Sequence, residues 1–419
     1  MNAPSAGSLL AAVPLAPRDP ILGVTEAFNA DPRPRKVNLG VGVYTGEDGR
    51  VPLLECVRRA EAARVASAPP RPYLPIDGLP AFDRAVQALV FGEASAAIAQ
   101  QRVVTVQTLG GTGALKIGAD FLRRHAPSAT VWISEPSWEN HRALFEYAGF
   151  DVRAYPYYDT ATRGLDFAAM CEALAALPAA TIVVLHACCH NPTGVDPNAE
   201  QWRDIARIVR ERKLVPFLDL AYQGFAEGVE ADAAAVRFFA DTLTPVFVAS
   251  SFSKSFSLYA ERVGALSVVA ASAHEATCVL SQLKRIVRTN YSNPPAHGGD
   301  VVARVLGDAE LRALWQRELD AMRERIREMR RLLVDGIRRH APELDFSFIL
   351  RQRGMFSYSG LSAEQVRTLR ERYAIYAIES GRICIAALKR DNVDYVAEAI
   401  AAVAADRGTP GVAVAARRP

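Results

Sequence analysis

The fold class is decided by the stretch VVTVQTLGGTGALKIGADFLRR, residues 103–124. A β-branched run up to Thr108 leads into a glycine-rich turn at 110–113, and apolar residues then recur at helical spacing to Arg124. Other short apolar runs alternate with turns and helical patterns in the same way: Val131–Ser134, Thr181–Leu185, Val215–Asp219 and Val246–Ser250. This alternation predicts an α/β fold with a largely parallel sheet, covered by helices on both faces.

A smaller α+β unit is predicted beyond this sheet. From Glu310 to Arg339 apolar residues recur at spacings of three and four, which predicts one long helix. A coiled coil fits less well, since the pattern covers only about three heptads. Strands are predicted at Asp345–Tyr358 and Arg382–Ala386, and helices at Ser362–Tyr373 and Asn392–Ala404. The expected parts are 1–46, an N-terminal arm and part of the small domain; 47–320, the large domain; and 321–419, the small domain with the long linking helix and a frayed end from Arg407.

The composition excludes several classes of protein. The chain has 419 residues, 50% of them hydrophobic, which is enough apolar content to offset chain entropy and exclude disorder as the main state. No apolar run approaches the roughly 20 residues that span a bilayer. With 49 Lys+Arg against 46 Asp+Glu, the net charge of +3 indicates no nucleic-acid partner.

The cysteines and the N-terminus favour a cytoplasmic protein. The six cysteines are scattered through a long chain, so we expect reduced thiols. The apolar stretch Ser8–Ala16 has no positive charge before it and therefore lacks the basic region of a secretory signal. We expect this stretch to be a poorly ordered or docked arm.

The glycine-rich turn Leu109–Gly113 is a candidate phosphate site. It lies between a predicted strand and a predicted helix, so free backbone N–H groups and the positive end of the helix dipole point at one place. Thr112 adds a hydroxyl donor. A tight strand-to-helix turn without a ligand is an equal alternative. It is not a Walker loop, since no Gly-Lys-Ser/Thr follows.

Lys254 is the candidate amine nucleophile among only six lysines. It stands among hydroxyls in SSFSKSFS, residues 250–257, at the end of a predicted buried strand and with no adjacent charge. A desolvated lysine near a cation loses its proton more readily and can form a Schiff base. Arg262 could be that cation and could also hold a phosphate bidentately. A surface lysine on a serine-rich loop is the alternative.

Asp219 places a carboxylate at the C-terminal end of an apolar strand, where ligands of open α/β sheets bind. A cofactor with a cationic ring nitrogen would need such a partner. Asp219 could instead cap the next turn. Tyr222 follows within reach of the same pocket.

The segment His186–Gly194, HACCHNPTG, contains two histidines and two cysteines close together. Structural zinc sites draw ligands from two separated pairs, and the sequence has no second Cys/His pair, so we expect no metal. The segment is better interpreted as a rigid loop that presents the Asn191 side chain.

In this order the motifs resemble the class I pyridoxal-phosphate aminotransferases, specifically the aspartate/aromatic amino acid subgroup, from about Asp19 to Ala404. Further motifs that carry the resemblance are Val37–Tyr44, Tyr73–Gly78, Gln107–Gly113, Pro136–His141, Asn290–Pro295 and Ser380–Arg382. The resemblance implies fold type I, with a mostly parallel seven-stranded sheet between helices in the large domain. It also implies pyridoxal 5'-phosphate as the cofactor.

The resemblance implies a role for each matching residue. Lys254 would form the Schiff base, Asp219 would pair with the pyridinium nitrogen, and Tyr222 would complete the catalytic set. The ring would contact Trp138, Asn191 and Tyr222, with His141 and His186 in support. The phosphate would be held by Gly111, Thr112, Ser251, Ser253 and Arg262, and by Tyr73 of the partner subunit. The substrate would meet Gly42, Trp138, Asn191 and Arg382, and its second carboxylate would meet Arg288 of the partner subunit.

The implied activity is ping-pong transamination between an aromatic or dicarboxylic L-amino acid and 2-oxoglutarate, in a homodimer with shared active sites. The pocket mouth implied by the resemblance is mostly apolar: Val41, Val43, Thr45, Val51, Pro72 and Asn293. Tyr157, Tyr158 and the stretch 352–358 favour the aromatic branch, whereas Asn293 and Thr112 favour the aspartate branch. The alternatives are a strict aspartate aminotransferase, elimination or decarboxylation on the same cofactor, and a non-catalytic regulatory module, although no residues are left over for a DNA-binding domain.

Overall fold

The computed structural model describes residues 10–16, 19 and 21–406. The strands are β1 (Val37–Asn38), β2 (Val103–Leu109), β3 (Val131–Glu135), β4 (Val152–Pro156), β5 (Tyr158–Asp159), β6 (Gly164–Leu165), β7 (Ile182–His186), β8 (Val215–Leu220), β9 (Val246–Ser251), β10 (Val263–Val269), β11 (Phe356–Tyr358), β12 (Ile375–Tyr376) and β13 (Arg382–Cys384).

The α-helices are α1 (Leu22–Ala30), α2 (Glu55–Ser67), α3 (Pro80–Phe91), α4 (Ala96–Ala99), α5 (Gly110–His125), α6 (Glu139–Tyr147), α7 (Phe167–Ala176), α8 (Ala199–Arg212), α9 (Val229–Asp232), α10 (Ala234–Thr242), α11 (Ala273–Asn290), α12 (Ala296–Gly307), α13 (Ala309–His340), α14 (Ala363–Tyr373) and α15 (Val393–Ala405). Two short 3-10 helices lie at Ser347–Arg351 and Ile385–Ala387.

The central sheet has seven strands in the order β2-β10-β9-β8-β7-β3-β4. β10 runs antiparallel to β2 and β9, and the other neighbouring pairs are parallel. The predicted α/β architecture with a mostly parallel seven-stranded sheet is confirmed.

Helices cover the two faces of this sheet and bury separate apolar cores. Alternate residues of β8 point to opposite faces, so Leu218 packs in one core and Phe217 in the other. α5 lies close to the sheet at Gly118, where a Cβ would stand 2.5 Å from Phe217 Cζ. Because these strands are parallel, their carboxyl ends lie along the same edge of the sheet. Ligands of such sheets bind at this edge.

The glycine-rich turn differs from the prediction in one respect. Residues 110–113 form the first turn of α5 instead of a loop before it. Gly110 has a φ of 68°, a conformation that glycine adopts at little steric cost, so the strand can turn directly into the helix.

The predicted long helix is confirmed as the single helix α13. Its apolar positions are buried, among them Trp315, Leu319, Met322 and Ile326. α13 packs against α2, α12 and α15 of the same chain. The helix buries its stripe against its own chain, so no coiled-coil partner is needed.

The prediction of a strand over Asp345–Tyr358 is wrong for most of that range. Ser347–Arg351 is a 3-10 helix, and only Phe356–Tyr358 is a strand, paired with β13. Asp345 Oδ1 accepts the Ser347 N–H at 2.8 Å, a local turn that competes with extended backbone. The strand predicted over Arg382–Ala386 likewise ends at Cys384 and is followed by a 3-10 turn.

The N-terminal segment lies against the C-terminal elements, because β1 pairs with β12 in parallel. The domain boundaries at residues 46 and 320 stay a prediction. The end from Arg407, expected to be frayed, lies outside the described residues, as do Ser8 and Leu9. Among the helices of the described chain, none combines the length and apolar character that crossing a membrane requires.

Candidate active site

A cavity of about 660 Å³ opens at the carboxyl edge of the central sheet. Most of the residues singled out from the sequence line it: Gly42, Gly111, Thr112, Trp138, His186, Asn191, Asp219, Tyr222, Ser251, Ser253, Lys254, Arg262 and Arg382. Most of them end, follow or precede strands of the central sheet, whereas Gly42 follows β1 and Arg382 begins β13, which belong to separate two-stranded sheets.

Asp219 is held at the end of β8 by a chain of hydrogen bonds. His141 Nε2 lies 2.8 Å from Asp219 Oδ2, and His141 Nδ1 lies 3.0 Å from the Ser137 hydroxyl. Burial acts to raise the pKa of Asp219, but the hydrogen bond from His141 and its charge outweigh burial and hold that pKa below its ordinary value. Asp219 is therefore a buried, ionised carboxylate that faces the cavity.

Within the described part of the chain, two groups of neighbouring side chains have the chemistry of metal ligands: His141, His186 and Asp219, and Cys188, Cys189 and Asp232. In the first, Asp219 and His141 already bind each other. In the second, Asp232 accepts backbone N–H groups of Gly224, Ala226 and Glu227. That the protein needs no metal stays a prediction.

Lys254 follows β9 and is partly buried in the cavity wall. Its Nζ lies 4.8 Å from the centre of the Tyr222 ring. Burial lowers the pKa of Lys254 to about 8, and the charges of Arg262 and Arg382 act in the same direction, against that of Asp219. Burial also raises the pKa of Tyr222 above its ordinary value, so this phenol stays protonated at neutral pH. The cavity thus holds an amine that is easily deprotonated beside a phenol that is not.

An anion cradle is formed where the N-terminus of α5 meets Arg262. Arg262 Nη1 donates to Ser253 Oγ at 3.2 Å, and a Cβ at Gly110 would stand 2.5 Å from Arg262 Nη2. The Gly110 N–H donates to the Arg262 carbonyl at 3.0 Å, but among the described residues no side chain caps α5, so the N–H groups that follow are available to a ligand. The cradle combines free N–H donors, hydroxyls and a guanidinium, which is the donor set that a phosphate requires.

Arg382 is a buried cation, 1% exposed, that also lines the cavity. Its Nη1 donates to Asn191 Oδ1 at 3.0 Å, its Nη2 donates to the Gly40 carbonyl at 2.6 Å, and its guanidinium lies 4.2 Å from the centre of the Phe356 ring. Within the described chain, its buried Nε has no hydrogen-bond partner and no carboxylate pairs with the guanidinium. Such an arginine is poised to bind a carboxylate of a ligand.

Tyr73 and Arg288 are not brought into this cavity. Tyr73 is 91% exposed. Arg288 is exposed on α11 and hydrogen-bonds to Ser292 Oγ. Tyr157 and Tyr158 also lie elsewhere, and Tyr157 stacks on His190 with ring centres 3.9 Å apart, behind the loop that carries Asn191.

Several functional residues were missed by sequence reasoning. Tyr259, Phe356 and Glu139 line the cavity, and the Tyr259 hydroxyl accepts the Tyr44 N–H at 2.9 Å. Asp196 accepts the N–H groups of Cys189 and His190 at 2.7 and 2.8 Å, which fixes the loop that carries Asn191. A carboxylate just after a Pro-Thr-Gly turn was the available signal for Asp196. Glu139 and Phe356 lie inside the stretches 136–141 and 352–358 but were given no role of their own, and no local pattern points to Tyr259.

The family described as aminotransferase class I and II matches residues 34–400. The chain belongs to this family. The aspartate aminotransferase of Pseudomonas aeruginosa is 59% identical over 396 residues, which are 94% of this chain and 100% of the relative. The aromatic-amino-acid aminotransferase of Escherichia coli is 52% identical over 387 residues, 92% of this chain and 97% of the relative.

Solved structures agree with this assignment. An aromatic-amino-acid aminotransferase from Burkholderia pseudomallei, covalently bound to pyridoxal phosphate, is 65% identical, has a TM-score of 0.93 and covers 94% of this chain and 99% of its own. The predicted aminotransferase family and its fold type are confirmed. The prediction of pyridoxal phosphate as cofactor is confirmed at the level of the family, which depends on it.

Proposed function

We propose that this chain is a pyridoxal-phosphate-dependent aminotransferase of dual specificity, which moves an amino group from an aromatic or dicarboxylic L-amino acid to 2-oxoglutarate. The observation that carries the proposal is the convergence of Lys254, Asp219 and Arg382 on one cavity. Relatives named for aspartate and for aromatic amino acids are both similar over nearly the full chain, which supports the dual specificity. The alternative is a strict aspartate aminotransferase, and substrate kinetics distinguish the two.

The residues present fit the cofactor. Its phosphate would be held in the cradle of Gly111, Thr112, Ser251, Ser253 and Arg262. Its ring would be held by Trp138, Asn191, Asp219 and Tyr222. When bound, pyridoxal phosphate supplies an electron sink for the carbanion that remains after the Cα proton of an amino acid is removed.

The chain's own residues would move the proton. Lys254 Nζ, with a pKa of about 8, would accept a proton at the substrate Cα and later return one. Asp219, kept ionised by His141, would keep a ring nitrogen protonated. Tyr222, which stays protonated, would donate a hydrogen bond to an oxygen on the ring. His141 is a positioning residue, since it acts through Asp219.

Arg382 would fix the α-carboxylate of the substrate, because its Nη atoms are already oriented by Asn191 and Gly40. Fixing this carboxylate holds Cα near Lys254, and such positioning accounts for several kcal/mol of a typical enzyme's rate enhancement, up to about 7–11. The Phe356 ring under the guanidinium helps to exclude water from that contact.

Substrate preference is tested by kcat/KM for phenylalanine, tyrosine and aspartate with 2-oxoglutarate. We expect phenylalanine and aspartate values within about a hundredfold of each other, because a hydrophobic pocket discriminates only modestly. Arg288→Ala should lower kcat/KM for aspartate about 10²- to 10³-fold and that for phenylalanine less than about tenfold, because only aspartate would leave a charge unpaired.

Arg285→Ala is the matched control for that measurement, since Arg285 is also exposed on α11. It should leave both substrates unchanged. A phenylalanine value thousands of times below that of aspartate would reject the dual specificity and favour the strict aspartate enzyme.

We also propose a homodimer whose active sites are shared between subunits. The proposal is supported by the position of Tyr73 and Arg288, which are exposed and outside the cavity of their own chain although the resemblance gives them roles in a site. Such residues can act only if a second copy presents them to the site.

Mixed dimers test this arrangement. Co-expression of Lys254→Ala with Arg288→Ala chains should restore about a quarter of the wild-type activity on aspartate, because half of the dimers are mixed and each has one intact site. Lys254→Ala with Arg382→Ala is the control pair, and it should stay inactive because both residues belong to one chain's site. If the first pair is as inactive as the second, the shared site is excluded.

We propose a cytoplasmic location for this protein. All six cysteines are free, and four of them are buried, which fits a reducing compartment. A relative from rice, 46% identical, is named as cytoplasmic.

We also propose that the chain divides into residues 1–46, 47–320 and 321–419. The helix α13 runs unbroken through residue 320, as a helix that links two domains would.

A further inference from the structure

A second cavity, of about 590 Å³, shares no lining residue with the candidate active site. It lies between the segment after β8, around Phe225 and Glu227, and the C-terminal half of α13. Five arginines line it: Arg327, Arg330, Arg331, Arg351 and Arg353. We call it the arginine cavity. Among its lining residues in the described chain, Glu227 is the one carboxylate.

The acidic groups nearby do not neutralise this cluster. Glu227 pairs with Arg327 at 2.8 Å and with Arg353 at 2.7 Å, and Glu324 pairs with Arg327 from outside the cavity. Arg331 and Arg351 are exposed and make no hydrogen bond or ion pair through their side chains to any described residue, although the charge of Arg351 acts on Asp345 outside the cavity. Two guanidinium groups at the rim are therefore free to bind a ligand.

Arg330 forms part of the floor and is 4% exposed. Its Nη2 donates to the carbonyls of Gly354 and Phe356, both at 2.7 Å, and no described carboxylate pairs with it. Burial lowers the pKa of Arg330 to about 10, and the charge of Arg327 acts in the same direction, against opposing effects of Cys189, Cys384 and Asp196 that are smaller than that of burial. A buried cation beside other cations is unfavourable unless an anion compensates it.

We propose that the arginine cavity is a binding site for a small phosphate-bearing anion. The guanidinium fork matches a phosphate bidentately, and several forks on one cavity are typical of phosphate recognition. The volume is in the range of about 300–1,000 Å³ found for small-molecule sites. Phe225 and the half-exposed Leu350 give the wall an apolar part that could take the organic portion of a phosphate ester.

The segment Arg353–Phe356 lies between the two cavities. Arg353 N–H donates to the Gly194 carbonyl at 2.7 Å, in the loop that carries Asn191, and the Phe356 ring lines the active-site cavity. The Arg330 guanidinium also contacts this segment, because it donates to the carbonyls of Gly354 and Phe356. An anion in the arginine cavity would hold Arg330 and Arg353 in place, so it should slow backbone hydrogen exchange in this segment.

The test uses the cofactor-loaded enzyme and inorganic pyrophosphate, titrated by calorimetry. Arg331→Ala/Arg351→Ala should raise the dissociation constant of one binding event at least about tenfold, because two charge-assisted contacts are lost. Both side chains are exposed and unpaired in the described chain, so the variant should fold. Arg338→Ala/Arg372→Ala removes two exposed, equally unpaired arginines outside the cavity and should change the constant less than about twofold.

Two further measurements separate this site from the active site. Pyrophosphate that competes with substrate at Arg382 would inhibit transamination with the same inhibition constant in wild type and in Arg331→Ala/Arg351→Ala. Pyrophosphate should slow hydrogen exchange in residues 353–356 of the wild type and leave it unchanged in that variant. If ADP binds more tightly than pyrophosphate, the ligand of the arginine cavity is an organic phosphate ester. If ADP binds equally or less tightly, the ligand is inorganic phosphate.

The proposal is overturned if the wild type shows no saturable binding beyond the event that inhibits the reaction. It is also overturned if the two double variants lose affinity equally, since the effect would then be one of net charge. Citrate is the carboxylate comparison. If citrate binds as tightly as pyrophosphate, the cavity does not prefer phosphate over carboxylate, and the proposal is contradicted.

Discussion

Lys254→Ala should lose transamination almost completely, with kcat reduced at least about 10⁴-fold. The variant lacks both the amine that would bind the cofactor covalently and the base that would move the Cα proton, and general acid–base catalysis alone contributes about 10²- to 10⁴-fold. None of the other five lysines lines the cavity, so none in the described chain can take its place. The measurement is the steady-state rate with aspartate and 2-oxoglutarate.

The fold should survive this change. Burial lowers the pKa of Lys254, which means that the folded chain disfavours its charged form, and alanine removes that unfavourable group. We expect Lys254→Ala to purify as a folded protein that still binds the cofactor non-covalently through the cradle at α5. Lys213→Ala, at an exposed position that ends α8, is the control and should keep full activity. Multiple turnovers by Lys254→Ala would reject the role given to this lysine.

An absorbance spectrum of the wild type distinguishes the enzyme from a regulatory module of the same fold. The wild type, freed of unbound cofactor by gel filtration, should show the near-visible absorbance of a bound cofactor. Borohydride should then fix the cofactor permanently to the wild type and not to Lys254→Ala, which lacks the amine. A wild type without the band after incubation with pyridoxal phosphate would favour a module that has lost the cofactor.

The positions of Asp219, Asn191 and Lys254 could be predicted because each follows an apolar strand of a parallel sheet. Once the strands are parallel, their carboxyl ends share one edge, and every polar residue just beyond them is brought together. The strand β9, for example, is wholly buried, so the lysine after it could not be far from that edge. Long-range convergence was therefore encoded in a local pattern.

The contacts that tune the site could not be predicted in this way. His141 lies on α6 and touches Asp219 on β8, a contact that depends on how a helix packs over a strand far away in sequence. Residues 345–358 were predicted to be a strand. The Asp345 side chain instead begins a 3-10 turn, and such local hydrogen bonds override a weak β pattern.

Specificity is the feature least accessible from sequence. Tyr157 favoured the aromatic branch, yet it stacks on His190 behind the Asn191 loop and does not line the cavity. Phe356, one of seven residues in the stretch 352–358 and not distinguished within it, does line the cavity and lies under Arg382. Aromatic residues bury large areas wherever they fall, so their presence alone does not say which of them meet a substrate.

Asp219→Ala should reduce kcat about 10³-fold while the cofactor stays covalently bound. The lost group is a buried carboxylate that His141 keeps ionised, and removing one such preorganised charge from a reacting centre costs about 10²- to 10³-fold or more. Lys254 is untouched, so the near-visible band of the bound cofactor should remain. The readouts are kcat, which should fall, and that absorbance, which should persist.

His141→Ala weakens the interactions that keep Asp219 ionised without removing the carboxyl group. The variant loses a hydrogen bond to a charged group, whose net contribution is about 1.5–3 kcal/mol, so kcat should fall about 10- to 150-fold, less than in Asp219→Ala. Asp219→Glu keeps the charge and should recover part of the rate that Asp219→Ala loses, whereas Asp219→Asn, which keeps the shape without the charge, should not. A near-normal rate in Asp219→Asn would show that shape and hydrogen bonding suffice, and that the ionised carboxylate is not what the ring nitrogen requires.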